Sequence, residues 1–138
     1  MLVESNWQDR LGKNVKMLVN RMNEPGANTE ERVQGDALIV RVTSRRLDAP
    51  GSRLLGRRLE ALIYGGHRLM ALEMSNVEFI DSSGLSVLVL VEQRLGNHGG
   101  FVITSPSKTV MSILRLTRLA KVFRIFPDEQ TALTALLG

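Results

Sequence analysis

A chain of 138 residues with 43% hydrophobic and 23% charged residues has the size and balance of one globular domain. It contains no cysteine, which excludes a disulfide framework and a thiolate metal site. The formal charge of +4 is unevenly spread: Arg41, Arg45, Arg46, Arg53, Arg57 and Arg58 crowd one stretch, Lys108, Arg115, Arg118, Lys121 and Arg124 another, and residues 1–36 are slightly acidic.

The N-terminus lacks the basic region and apolar run of a signal peptide. The longest unbroken apolar run, Val87 to Val91, is far short of the ~20 residues that span a bilayer. A soluble, cytoplasmic protein is expected. Its basic stretches could attract acidic protein surfaces, nucleic acid or anionic lipid, or could form a solvated face.

In chain order, Ser5 and Gln8 have the spacing of a capping box. Trp7, Leu11, Val15, Leu18 and Met22 then recur at steps of three and four, which is one face of a helix. An amphipathic extension over residues 1–28 is therefore expected, its stripe packing on the domain or driving self-association. Glu24-Pro25-Gly26-Ala27-Asn28 is a turn, and the domain proper runs from 29 to 138. Ala37 to Thr43 reads as a buried strand, with Thr29 to Val33 as a short partner. Asp48 and Pro50 open a helix whose apolar face is Leu54, Leu55, Leu59, Leu62 and Ile63, and Gly65-Gly66 closes it. Leu69 to Met74 is a strand, and Val77 to Ile80 continues the extended path. A helix from Ser83 to about Asn97 turns Leu85, Leu88, Val91 and Leu95 inward. Phe101 to Thr104 is a strand. Ser105 is expected to cap a helix that starts at Pro106, Val122 to Ile125 to form a last strand, and Asp128 to Leu137 a closing helix. Alternating strands and helices imply an α/β domain with parallel neighbours joined by right-handed crossovers, and the initial strand pair makes the sheet mixed.

The turn Asp81-Ser82-Ser83-Gly84 joins a strand to a helix, at the carboxyl end of a sheet strand where ligands and partners dock in α/β folds. Free N–H groups of a first helical turn favour negative charge, phosphate included. A hydroxyl there can accept a phosphoryl group. Taken alone, Asp and Ser at this place are ordinary helix caps.

From about Thr29 to Leu137 the sequence resembles a STAS domain, and most of all the stand-alone bacterial anti-sigma factor antagonists. The likeness rests on Leu38-Ile-Val-Arg-Val, Leu47-Asp48-Ala49, Val77-Glu-Phe-Ile-Asp-Ser-Ser-Gly-Leu85, Gly99-Gly100 and Leu119-Ala-Lys-Val-Phe123. It implies a mixed, mostly parallel sheet of four to five strands packed with about four helices. It also implies a partner switch. In that family the serine after the aspartate, here Ser82, is phosphorylated by a GHKL-type serine kinase that is also the anti-sigma factor, and a PPM-type phosphatase resets it. Asp48, Asp81, Ser83, Gly84 and Leu85 would then form the switch loop and partner face. The chain departs from the family pattern at Glu73, where aspartate is usual, in residues 1–28, and in its basic balance.

No catalytic set is recognisable, so no enzyme activity and no cofactor are expected. His67 and His98 each sit beside a glycine at a helix end, without the further ligands a zinc site needs. Ser82 has only carboxylates near it in sequence and no base to activate it. Nucleic-acid binding is not expected, since aromatic residues are 4% of the chain and mostly at core positions. The competing reading is a STAS adaptor subunit of a membrane transport or signalling complex, without a phosphorylation cycle.

Overall fold

The computed structural model describes residues 28–97 and 100–138. The expected N-terminal helix and His98 lie outside them. Among the described residues no helix is long and apolar enough to cross a membrane.

Strands β1 (Thr29–Gln34) and β2 (Ala37–Val42) form an antiparallel hairpin. Gln34 pairs with Ala37, so the loop is only Gly35 and Asp36, and Gly35 takes the φ of +63° that such a tight turn demands. From β2 onward the pairing is parallel, through β4 (Leu69–Glu73) and β6 (Gly100–Thr104) to β7 (Arg124–Phe126). The sheet order is β1-β2-β4-β6-β7, a mixed and mostly parallel sheet as expected.

Because the first four residues of β2 are covered on both faces, Ala37–Val40 reads as a continuous apolar run before the exposed Arg41. Leu38, Val40 and Val42 enter the main core. There they meet Leu55 and Leu59 of α1 (Ala49–Tyr64), Leu88 and Val91 of α2 (Ser82–Leu95), and Val110 and Leu114 of α3 (Lys108–Leu116). Ala37 and Ile39 point to the other face, where α4 (Glu129–Leu137) supplies Ala132, Leu133 and Leu136. Three helices thus lie on one face of the sheet and one on the other.

The structure corrects the sequence reading in three places. Val77 to Ile80 does not prolong β4. Phe79–Ile80 is a separate strand, β5, paired in parallel with β3 (Arg46–Leu47), which periodicity over two residues cannot reveal. Ser105 is not a cap: it precedes Pro106, a position that disfavours the helical region, and it adopts φ +58°. Ser107 caps α3 instead, accepting from the Val110 N–H at 3.2 Å. The last strand begins two residues later than expected, because Leu119–Lys121 winds into a 3-10 turn. The openings of α1 and α4 agree with the sequence: Asp48 and Asp128 cap them.

Candidate functional site

The short ladder between β3 and β5 places two similar turns side by side. Leu47 pairs with Ile80, and each strand runs straight into an aspartate that caps the next helix. The two sequences, Leu47-Asp48-Ala49-Pro50-Gly51 and Ile80-Asp81-Ser82-Ser83-Gly84, share an Asp-x-x-Gly pattern. The Asp81 N–H donates to the Leu47 carbonyl at 3.2 Å. Arg46 closes the ladder from outside, its guanidinium 4.2 Å over the Phe79 ring and 3.3 Å from Asp48.

Glycine is required at both turns. A Cβ on Gly84 would stand 2.6 Å from Ile80 Cγ1 and 3.0 Å from the Leu47 carbonyl oxygen. A Cβ on Gly51 would meet the Arg46 carbonyl oxygen at 2.6 Å. Gly84 is therefore more than a residue that keeps the turn bare. It lets α2 start in contact with β3.

Asp81 Oδ1 accepts from the Ser83 N–H at 2.8 Å, the Ser83 hydroxyl at 2.5 Å and the Gly84 N–H at 3.3 Å. The Ser83 hydroxyl bond, joined by these backbone donors and opposed by partial burial, holds the Asp81 carboxyl below the ordinary aspartate range. Two N–H groups of the first turn are thus already engaged and are not open to a phosphate. Ser83 also lies 3.2 Å, Oγ to Oγ, from Ser52, a buried hydroxyl on α1. Ser52 was not singled out from the sequence, and only the repeated Asp-x-x-Gly pattern could have pointed to it.

The expected loop residues divide clearly. Ser83 and Asp81 are half-buried and bonded to each other, and Gly84 is buried. Ser82, the first residue of α2, is exposed, and its hydroxyl has no hydrogen bond among the described residues. Leu85 is only half-buried: it touches the core and also lines a groove with Ser82, Ser86, Val89, Leu90, Gln93 and Leu119. Asp48 caps the neighbouring helix, accepting from the Gly51 N–H at 3.4 Å.

The two basic stretches differ in how many of their cations are paired, although Arg53 and Arg57 of the first are exposed and without an acidic partner among the described residues. In the first, Arg41 lies 3.6 Å from Glu30 and 3.8 Å from Glu73, and Arg45 lies 2.9 Å from Glu78. Arg46 pairs with Asp48, and the buried Arg58 pairs with Glu31. In the second, Arg115, Arg118 and Lys121 are exposed and have no acidic partner among the described residues. No group of three or more His, Asp or Glu among the described residues is placed to hold a metal ion.

A mixed sheet with three helices on one face, and a capped serine turn where β5 enters α2, define a class of small α/β domain. The chain belongs to the STAS domain family, whose model matches residues 28–132. The solved structure of an anti-sigma factor antagonist from Mycobacterium paratuberculosis is 26% identical and superposes with a TM-score of 0.73, covering 80% of this chain and 93% of that one. RsfB, the anti-sigma-F factor antagonist of Mycobacterium tuberculosis, is 22% identical over 117 residues, 85% of this chain and 96% of RsfB. SpoIIAA, an anti-sigma factor antagonist, shares the fold in its unphosphorylated form at 18% identity, with a TM-score of 0.67 and coverage of 80% and 96%. The phosphorylated form of SpoIIAA, a Bacillus cell fate determinant, matches at 17% identity, with a TM-score of 0.60 and coverage of 78% and 97%.

Proposed function

We propose that this chain is an anti-sigma factor antagonist that works by partner switching. In its unphosphorylated form it binds an anti-sigma serine kinase of the GHKL type and releases a sigma factor or another client. Phosphorylation of Ser82 blocks that contact, and a PPM-type phosphatase restores it. The observation that carries this reading is the division of labour between the two serines. The Ser83 hydroxyl is bonded to Asp81 and Ser52, whereas the Ser82 hydroxyl is exposed and unengaged.

The energetics suit a switch. A phosphoserine adds up to about two negative charges and three acceptor oxygens. Here they would arise one residue from the Asp81 carboxylate, on a surface that must be desolvated when a partner docks. A penalty of about 3 kcal/mol weakens binding more than a hundredfold.

The test uses ATP and a GHKL-type serine kinase from the same genome. One phosphate is expected on Ser82, found by mass spectrometry, absent from Ser82→Ala and retained in Ser83→Ala. Transfer to Ser83, or no transfer at all, overturns the switch. The second outcome would favour the adaptor reading, in which Ser82 only begins a helix.

A further inference from the structure

We infer that the groove beside Ser82 receives an acidic, apolar-faced helix of the partner, held by the unpaired cations that flank Leu119. The inference rests on the reading of the Ser82 turn as the partner site, and it names the chemistry of what docks there.

The groove has one wall on α2 and the other on the 3-10 turn. Leu85, Val89, Leu90 and Leu119 make it apolar, and its α2 wall adds only neutral polar groups, from Ser82, Ser86 and Gln93. Of the exposed large hydrophobic side chains, Leu90 at 40% is on the α2 wall, whereas Val122 at 47% follows the 3-10 turn and Leu116 at 83% ends α3. Leu116 and Val122 lie three residues to either side of Leu119. An apolar groove with an exposed Leu90 on its wall marks an interaction site.

Charge selects the occupant. Residues 93–127 contain no aspartate or glutamate. Arg115, Arg118 and Lys121 are exposed and have no acidic partner among the described residues, whereas Arg41, Arg45, Arg46 and Arg58 each have one. Arg53, Arg57 and Arg68 are also exposed and without an acidic partner among the described residues, so the cations around Leu119 are set apart by lying in a stretch that has no acidic residue at all. Complementarity calls for carboxylates on the docking element. A groove is filled by a ridge, and an amphipathic helix is the common ridge of this size.

Rival occupants fit less well. Residues 1–27 carry Arg10, Lys13, Lys16 and Arg21 against Glu4, Asp9 and Glu24, so that segment would bring more positive charge to a positive wall. A second copy presents the same cations. A bilayer takes up protruding apolar side chains and leaves a concave groove unfilled. Nucleic acid would use the cations and leave the apolar floor exposed.

This arrangement also gives Ser82 phosphorylation a second effect. Ser82 shares the groove with Leu119, so a phosphate there repels incoming carboxylates and competes with them for the same cations.

The test titrates the full chain with two synthetic amphipathic peptides of equal length and equal leucine content, one carrying glutamates on its polar face and one carrying lysines. The glutamate peptide is expected to shift the amide resonances of Leu85, Val89, Leu90 and Leu119, and the lysine peptide to leave them unchanged. Arg118→Glu/Lys121→Glu should weaken the glutamate peptide by about tenfold or more, with unfolding unchanged. Equal binding of both peptides, or loss of no affinity in the double variant, overturns the inference. So does deletion of residues 1–24 that alone opens the groove to either peptide, and so does binding of phosphatidylglycerol vesicles or duplex DNA in place of the peptide. If Ser82 is phosphorylated but the glutamate peptide does not bind, this inference fails and partner switching stands. If the peptide binds and no kinase modifies Ser82, the reverse holds.

Discussion

The two Asp-x-x-Gly turns start from the same backbone plan and end in different chemistry. At the first, Ala49 and Pro50 fill the middle positions, and neither side chain can donate a hydrogen bond. At the second, both positions are serine. One hydroxyl is used to brace the turn against α1, and the other is left exposed. The first turn is therefore a scaffold for the second. It supplies Leu47 for Gly84 to pack on and Ser52 for Ser83 to meet.

The largest effect is expected at the glycines. Gly84→Ala forces a methyl against Ile80 and the Leu47 backbone, and overpacking of this kind costs about 1–3 kcal/mol. Gly51→Ala meets a backbone oxygen at 2.6 Å and should cost a similar amount. Urea unfolding of both variants checks this, and an unchanged midpoint for Gly84→Ala would mean that α2 can slide away from β3.

Next come the caps. Asp81 accepts three bonds and Asp48 a single long one from the helix it opens, so Asp81→Ala should lower the melting temperature more than Asp48→Ala. The contribution of Asp81 should also depend on pH. The folded-state pKa of Asp81 is depressed, so its contribution is complete above the ordinary aspartate value and is lost as pH falls through the depressed one. Melting curves taken from neutral pH down to strongly acid pH should show the gap between wild type and Asp81→Ala closing at the acid end. A gap that stays constant would show that the carboxylate charge plays no part.

The smallest effect belongs to the hydroxyl pair. Ser52→Ala removes the buried hydroxyl that Ser83 meets and leaves the Ser83 bond to Asp81 in place, so it should cost about 1 kcal/mol or less. A Ser52→Ala/Ser83→Ala double variant should cost less than the sum of the two singles. Strict additivity would mean that the two hydroxyls act independently.

Much of this comparison was legible in the sequence, and the limits have physical causes. The alternating elements, the apolar run Ala37–Val40 of β2 and the Asp48 cap are local signals, and they stand where they were expected. The β3–β5 ladder was hidden because two residues carry no period. The cap of α3 was misplaced because Ser105 and Ser107 flank the same proline, and only backbone geometry distinguishes them. The two arginine stretches looked alike because charge pairing is long-range. Arg58 meets Glu31 across 27 residues and Arg45 meets Glu78 across 33, so the pairing of these two arginines is a property of the fold. The exposed Ser82 hydroxyl was anticipated from the motif. Its separation from the engaged Ser83 hydroxyl was not.

The hairpin strand β1 has a consequence for how such a molecule lives among others. It forms one margin of the sheet, and Glu30, Glu31 and Arg32 stand along it. Uncovered margins invite a neighbouring chain to extend the sheet, and charge placed there makes that addition costly. Association is thus discouraged at the margin, where backbone pairing is indiscriminate and hard to reverse. It is left to the helical face, where the proposed partner site lies and side chains, not backbone, would choose the visitor.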